Sequence, residues 1–228
     1  MDTKVHYILS SCMVLAAGLI FLFGGNQRPT ALECTMSMHS WSPAWDAVEQ
    51  RWETFQNDFS QKSVFRGQPT AAIEAAWDSI LQENPVSISA NEIEFPQGFE
   101  SSSLVADKSG NLLGHLEVFR NLACLNLLRQ HTFRNDYNYD SLPAFQGTEG
   151  EIMSRLDGCV QRLRNVLMCE GDATPYLIML TPEKKEKESP DFNTLHYCKN
   201  FDGVLNWARE NEVQETVATP PLYSFTYA

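Results

Sequence analysis

The chain reads as mainly α with short β or extended segments, forming a single domain behind one N-terminal membrane helix. Three observations predict this. Two stretches, 116–133 and 151–169, carry apolar residues at helical spacing over about five turns each. Between 86 and 99 the chain alternates and holds Pro96 and Gly98, which leaves room only for short strands or extended loop. Tyr7 to Phe23 is an uncharged run of 17 residues rich in Leu, Ile, Val, Ala and Phe, at the short end of the roughly 17–25 that span a bilayer.

Taken in order, residues 1–6 form a short tail, 7–23 the expected transmembrane anchor, 24–40 a linker and 41–228 the folded domain. A cleaved signal peptide is the competing reading of the apolar run, but Gly24-Gly25-Asn26-Gln27-Arg28-Pro29 is a poor cleavage site. A short tail before the span and a large domain after it predict a cytoplasmic amino terminus and a lumenal domain. The linker, with Gly24, Gly25 and Pro29, shows no apolar periodicity. Ser42-Pro43-Ala44 opens a predicted helix to about Phe59, with Trp45, Val48, Trp52 and Phe55 on one stripe. Pro69 opens the next, carrying Ile73, Ala76, Trp77 and Leu81 inward and stopping at Asn84-Pro85. A Tyr/Asn/Asp-rich loop joins the two long helices. After Pro182 the run Glu183 to Glu188 reads as a solvated loop, and a last short helix spans about Asp202 to Glu210.

A hydrophobic fraction of 43% with five tryptophans is ample for one packed core. The net charge of −12, without a basic patch, excludes nucleic acid as a partner, because that affinity comes from neutralising phosphates.

The two long helices repeat one design. Arg120-Asn121-Leu122-Ala123-Cys124 and Arg155-Leu156-Asp157-Gly158-Cys159 each place Arg, a tiny residue and Cys at i, i+3 and i+4, one helix face. This pattern resembles the UstYa-type family of fungal secondary-metabolite tailoring proteins, whose signature is a doubled His-x-x-His-Cys. Both cysteines stand here, while Arg120, Ala123, Arg155 and Gly158 occupy the four histidine positions. The block Leu167 to Pro175, the block His196-Tyr197-Cys198-Lys199-Asn200-Phe201 with Trp207, and the aromatic loop of Tyr137, Tyr139 and Asp140 are similar to further family segments, in family order. The resemblance implies a fungal source, a natural-product gene cluster and a peptide substrate for tailoring. It also agrees with a single-pass protein of the secretory pathway. Pairing of this chain with itself or with an intact UstYa-type paralogue is a further expectation.

Imidazoles at those four positions would suit copper, iron or zinc. Arginine has no lone pair to donate and stays cationic, so it opposes a dication. No metal or other cofactor is therefore expected; copper enters only if His115, His131, His196 and thiolates rebuild a site. What the motif retains is thiol chemistry. Arg120 and Arg155 lie at i−4 of Cys124 and Cys159, where a cation favours the thiolate, and Ala123 and Gly158 leave space beside the sulfurs. That constellation suits acyl transfer, isomerisation or cyclisation, with His115, His131 or His196 as base. The bland alternative is a disulfide between Cys124 and Cys159, or between Cys169 and Cys198. Three functions stand open: a Cys-dependent non-oxidative tailoring enzyme, a metal-dependent oxidase, hydroxylase or halogenase, and a non-catalytic partner subunit.

Overall fold

The computed structural model describes residues 29–58, 60–93, 95, 104–180 and 188–213, together with 6, 13 and 14. The chain divides into two units, Met1–Ser40 and Trp41–Ala228. In the first, α1 (Ala31–Met38) starts at a capping box: the Thr30 hydroxyl accepts from the Glu33 amide, and the Glu33 carboxylate accepts from the Thr30 amide. The linker expected over 24–40 thus contains a helix, because a two-sided cap offsets the lack of an apolar stripe.

The expectation of a transmembrane anchor, and of a single-pass protein with a lumenal domain, is corrected. No helix among the described residues is long and apolar enough to cross a membrane. Of the run 7–23 only Met13 and Val14 are described; the rest lies outside the described residues. The physical margin was thin: 17 helical residues rise about 26 Å, short of a hydrocarbon layer of about 30 Å.

The second unit mixes helix and strand, which corrects the mainly-α expectation. A 3₁₀ turn (Trp45–Ala47) leads into β1 (Gln50–Thr54), followed by α2 (Ala71–Ser79), β2 (Val86–Ile88) and β3 (Leu112–Gly114). Next come α3 (Glu117–Thr132), a 3₁₀ turn (Pro143–Phe145) and α4 (Glu149–Glu170). The unit continues with β4 (Leu177–Leu180), β5 (Glu188–Asp191), β6 (Leu195–Lys199) and α5 (Phe201–Glu210). The strands form three antiparallel pairs, β1–β6, β2–β3 and β4–β5. The helix expected from Ser42 to Phe59 is therefore a 3₁₀ turn and a strand. Long-range pairing with β6 overrides the local helical period there, and Trp52 meets Tyr197 across the ribbon with ring centroids 5.0 Å apart. Apart from Glu188, the charged run 183–188 lies outside the described residues.

The core is the α3–α4 pair, and the two helices run antiparallel. Glu117 meets Arg162 at one end, Cys124 meets Cys159 in the middle, and Arg134 meets Glu149 at the other. Leu127, Tyr139, Phe145, Ile152 and Leu156 pack around the cysteines. On another side of α3, Phe119 packs with Leu205 and Ala208 of α5. α5 approaches the first 3₁₀ turn so closely that a Cβ at Gly203 would stand 2.8 Å from the Ala47 carbonyl oxygen. α4 ends at Gly171, whose left-handed backbone (φ 49°) returns its amide to the Leu167 carbonyl.

Candidate functional site

The repeated face of α3 and α4 is a closed seam. Cys124 and Cys159 are joined by a disulfide, with Cα atoms 5.0 Å apart, and both side chains are fully buried. In this state neither sulfur is a thiolate. The space expected beside them is filled as well: Ala123 is buried against Leu81 and Leu122, and Gly158 is buried too. Small residues at these positions allow close packing instead of opening a pocket.

The two arginines of the repeat part company. Arg155 donates to the carbonyl oxygens of Ala144 (3.0 Å) and Gln146 (2.7 Å), tying the second 3₁₀ turn to α4. Arg120 is half-buried at the other end of the seam. Burial and then the nearby Arg162 charge lower its pKa, and Glu117 pulls the other way. His115 stands in the same corner. Its pKa is lowered by burial first and by Arg120 second, so its ring is held neutral. Its Nδ1 is buried without a hydrogen-bond partner among the described residues. His131 lies at the opposite end of α3, close enough to Glu149 for its charge to help lower that carboxyl, after the larger effect of Arg134. The structure thus brings His115 and Arg120 together and leaves Arg155 and His131 elsewhere.

The family resemblance implies a redox metal, and the donor set does not fit one. The four signature positions supply two guanidiniums and no lone pair. Among the described residues no three His, Cys, Asp or Glu side chains gather as ligands. Cys34, Cys169 and Cys198 are free thiols, so the alternative pairing of Cys169 with Cys198 does not form.

Two further constellations escaped the sequence reading. The first is a polar knot between α2 and α3. Arg129 grips Glu74 with both nitrogens (2.9 and 2.7 Å), Tyr139 donates to the same carboxylate (2.9 Å), and the Arg129 guanidinium lies 5.3 Å from the Trp77 ring centroid. Burial alone would raise the Glu74 carboxyl, but hydrogen bonds from Arg129 and Tyr139 outweigh it and hold the pKa low. Burial and the same carboxylate push the Tyr139 hydroxyl up to about 12.

The second is a cleft of about 490 Å³ beside the β1–β6 ribbon, with Phe55, Tyr176 and Phe192 among its walls. Residues two apart share a strand face, and Phe55 donates its amide to the Thr194 carbonyl (2.9 Å). That register lays the Phe55 ring on His196, centroids 3.9 Å apart and 20° from parallel. His196 Nδ1 lies 3.1 Å from Asp172 Oδ2, and its Nε2 lies 2.5 Å from Thr194 Oγ1. Asp172 follows the Gly171 cap of α4. Its other oxygen accepts from the Thr174 amide (2.8 Å); the Thr174 side chain first, then that amide, and His196 after them hold the carboxyl pKa low. Both partners sit in blocks the resemblance singled out, 167–175 and 196–201. Only their meeting was invisible.

Comparison with known proteins bears out the family resemblance. The family model described as mycotoxin biosynthesis protein UstYa matches residues 3–211. The UstYa family oxidase phomYc of Diaporthe leptostromiformis is 33% identical over 221 residues, covering 92% of this chain and 85% of that protein. The oxidase phomYc' of the same fungus is 31% identical, covering 91% and 76%. The transacylase cctO of Talaromyces islandicus is 25% identical, covering 80% and 63%. No solved structure matches.

Proposed function

The chain belongs to the UstYa family and serves fungal secondary-metabolite tailoring, and from that premise we propose that its own step is a non-oxidative acyl transfer or isomerisation on a peptide natural product. The observation that carries this reading is the donor set of the doubled motif. Arg120, Ala123, Arg155 and Gly158 offer a metal nothing to bind, and one arginine is already committed to the Ala144 and Gln146 carbonyls. The similarity to a transacylase adds support. Because the cysteines are bonded to each other, the reading no longer runs through a sulfur nucleophile. The seam instead contributes a corner with one cation in excess, Arg120 and the Arg162–Glu117 ion pair beside neutral His115, suited to holding a carboxylate or a developing oxyanion of the substrate.

The experiment is turnover of the peptide precursor from the same gene cluster by the purified full chain, followed by mass spectrometry and an oxygen electrode. An isomeric product formed without oxygen uptake, and unaffected by a chelator, is the expected result. Gain of oxygen or loss of hydrogen with oxygen consumption overturns it.

A partner-subunit reading is favoured by one feature. Apolar Val160, Leu163, Leu167 and Met168 on α4, with Leu128 and Arg164, line an apolar hollow of about 460 Å³, and Leu167 and Met168 are widely exposed. Under that reading the chain alone converts nothing, and turnover appears only when an intact paralogue is added.

A further inference from the structure

We propose that Thr194, His196 and Asp172 form a nucleophilic triad, in which Thr194 Oγ1 carries an acyl group from donor to acceptor. The proposal rests on the acyl-transfer reading and supplies the oxygen nucleophile that the bonded cysteines leave missing.

The geometry assigns each role. A carboxylate on Nδ1 fixes the tautomer that carries its proton there, so Nε2 is left as the acceptor for the Thr194 hydroxyl. The two contacts, 3.1 and 2.5 Å, lie on opposite sides of one imidazole. Thr194 and His196 share a strand face and would touch in any case; Asp172 would not. It arrives from the end of α4, ahead of the β4–β5 ribbon in the chain. Its Oδ1 is locked by the Thr174 amide, which leaves Oδ2 to face the ring. Phe55 covers the imidazole face and prevents it from turning. The imidazole is mostly buried, with 13% of its side chain exposed, while the carboxylate side chain is 58% exposed. All three residues line the same aromatic-walled cleft, where Asn57 adds a side-chain amide. A cleft with these walls takes an ester or amide whose acyl group carries an aromatic or large apolar side chain.

The step balances without any further reactant. Thr194 Oγ1 attacks the acyl carbon as its proton passes to His196 Nε2. The bond from that carbon to the leaving oxygen or nitrogen breaks, and the leaving group takes the proton from Nε2. The acceptor hydroxyl or amine of the substrate then attacks the Thr194 ester, gives its proton to Nε2, and Thr194 leaves as a hydroxyl with that proton restored. The acyl group has moved, and the enzyme is unchanged.

The test uses p-nitrophenyl phenylacetate as acyl donor with the full chain. A stoichiometric burst of nitrophenolate is expected, with the acyl group found on Thr194 by peptide mapping. Thr194→Val should abolish both the adduct and the burst, leaving only slow release without a burst phase, while Thr194→Ser retains them. Asp172→Asn should cost up to about 10⁴-fold by favouring the wrong tautomer. Unchanged melting of Thr194→Val separates lost chemistry from lost fold, and if it melts early the His196→Gln variant gives the same reading. Acylation that survives both Thr194→Val and His196→Gln, or maps to a lysine or to Cys198, overturns the triad. The peptide assay separates this from the parent reading. An isomeric product formed by Thr194→Val sinks the triad alone; an oxidised product from a protein that still acylates Thr194 sinks the acyl-transfer reading alone.

Discussion

The α3–α4 seam and the β1–β6 cleft are built from segments that family resemblance marks equally, yet their physical characters are opposed. In the seam, Cys124, Cys159 and Ala123 are all but inaccessible, and Arg155 is spent on the Ala144 and Gln146 carbonyls. In the cleft, a histidine is held on both nitrogens while its partner carboxylate and the aromatic walls face outward. Retained signature residues therefore do not by themselves mark where chemistry happens. At the seam they keep the scaffold closed; reactivity needs both a fixed proton path and room for a substrate, and only the cleft offers the two together.

The largest effect that would break this contrast is on the disulfide. It closes a loop across a separation of 35 residues, which in the chain-entropy view contributes about 4 kcal/mol. Replacing both cysteines by Ala should lower the melting temperature by roughly 10 °C yet leave turnover, assayed well below the melt, near that of the parent protein. Lost turnover in a variant that still melts normally would return the chemistry to the sulfurs.

The polar knot should come next. Removing one partner of a buried pair costs about 3–5 kcal/mol, and Glu74→Ala strands Arg129, whose side chain is only 11% exposed. Chemical denaturation should show a loss of about 3 kcal/mol, and Arg129→Met in the same background should restore part of it. Additive losses would mean that the pair is not coupled.

How much of this was legible follows from the range of each interaction. The two long helices, expected over 116–133 and 151–169 and found at 117–132 and 149–170, were visible because their patterns are local. So was a candidate pairing of Cys124 with Cys159 from two matched faces; the antiparallel course of the helices was not. β1 was not, since Trp45, Val48, Trp52 and Phe55 repeat at helical spacing and only the distant β6 makes them a strand. Nor was β4, a run of Leu177, Ile178, Met179 and Leu180 with no alternation to announce it. Arg155 illustrates the limit at the site: its spacing from Cys159 was correct, but the carbonyls that claim it arrive from a turn whose fold no local pattern encodes. His196 was noticed as a base without its carboxylate, because the β4–β5 pair separates Asp172 from it in sequence and only the fold brings the two together.

A smaller, pH-dependent effect sharpens the same contrast at the Arg120 corner. Burial and Arg120 depress the His115 pKa in the folded chain, while the unfolded chain titrates near 6.5. Above that pH both states are neutral and stability is complete. As pH falls below about 6.5 the unfolded state takes up a proton first, so stability declines until the folded pKa is passed. His115→Gln should flatten the acid side of a plot of melting temperature against pH, between about 6.5 and the onset of carboxylate titration. Glu74, held low, adds its own loss below about 4.5. An unaltered slope in His115→Gln would show that the ring is not kept neutral by this corner.

The smallest expected effect is the most discriminating for Arg155. Beside a thiolate, its charge would matter and its shape would not, so Arg155→Lys would be silent for stability and near-silent for turnover, while Arg155→Met would cripple the reaction. As a tie to the Ala144 and Gln146 carbonyls, its reach and its rigid donor geometry are what matter, because one guanidinium nitrogen reaches two acceptors at 3.0 and 2.7 Å. A lysine ammonium has donors enough for both carbonyls, but its shorter, more flexible stem holds them less rigidly. Arg155→Lys should then cost about 1 kcal/mol, and Arg155→Met about 2, each seen in denaturation with turnover unchanged below the melt. The order of the two variants is the same under either role, so stability alone decides little. Turnover decides: a Met variant that folds and still converts substrate leaves Arg155 with a purely architectural task.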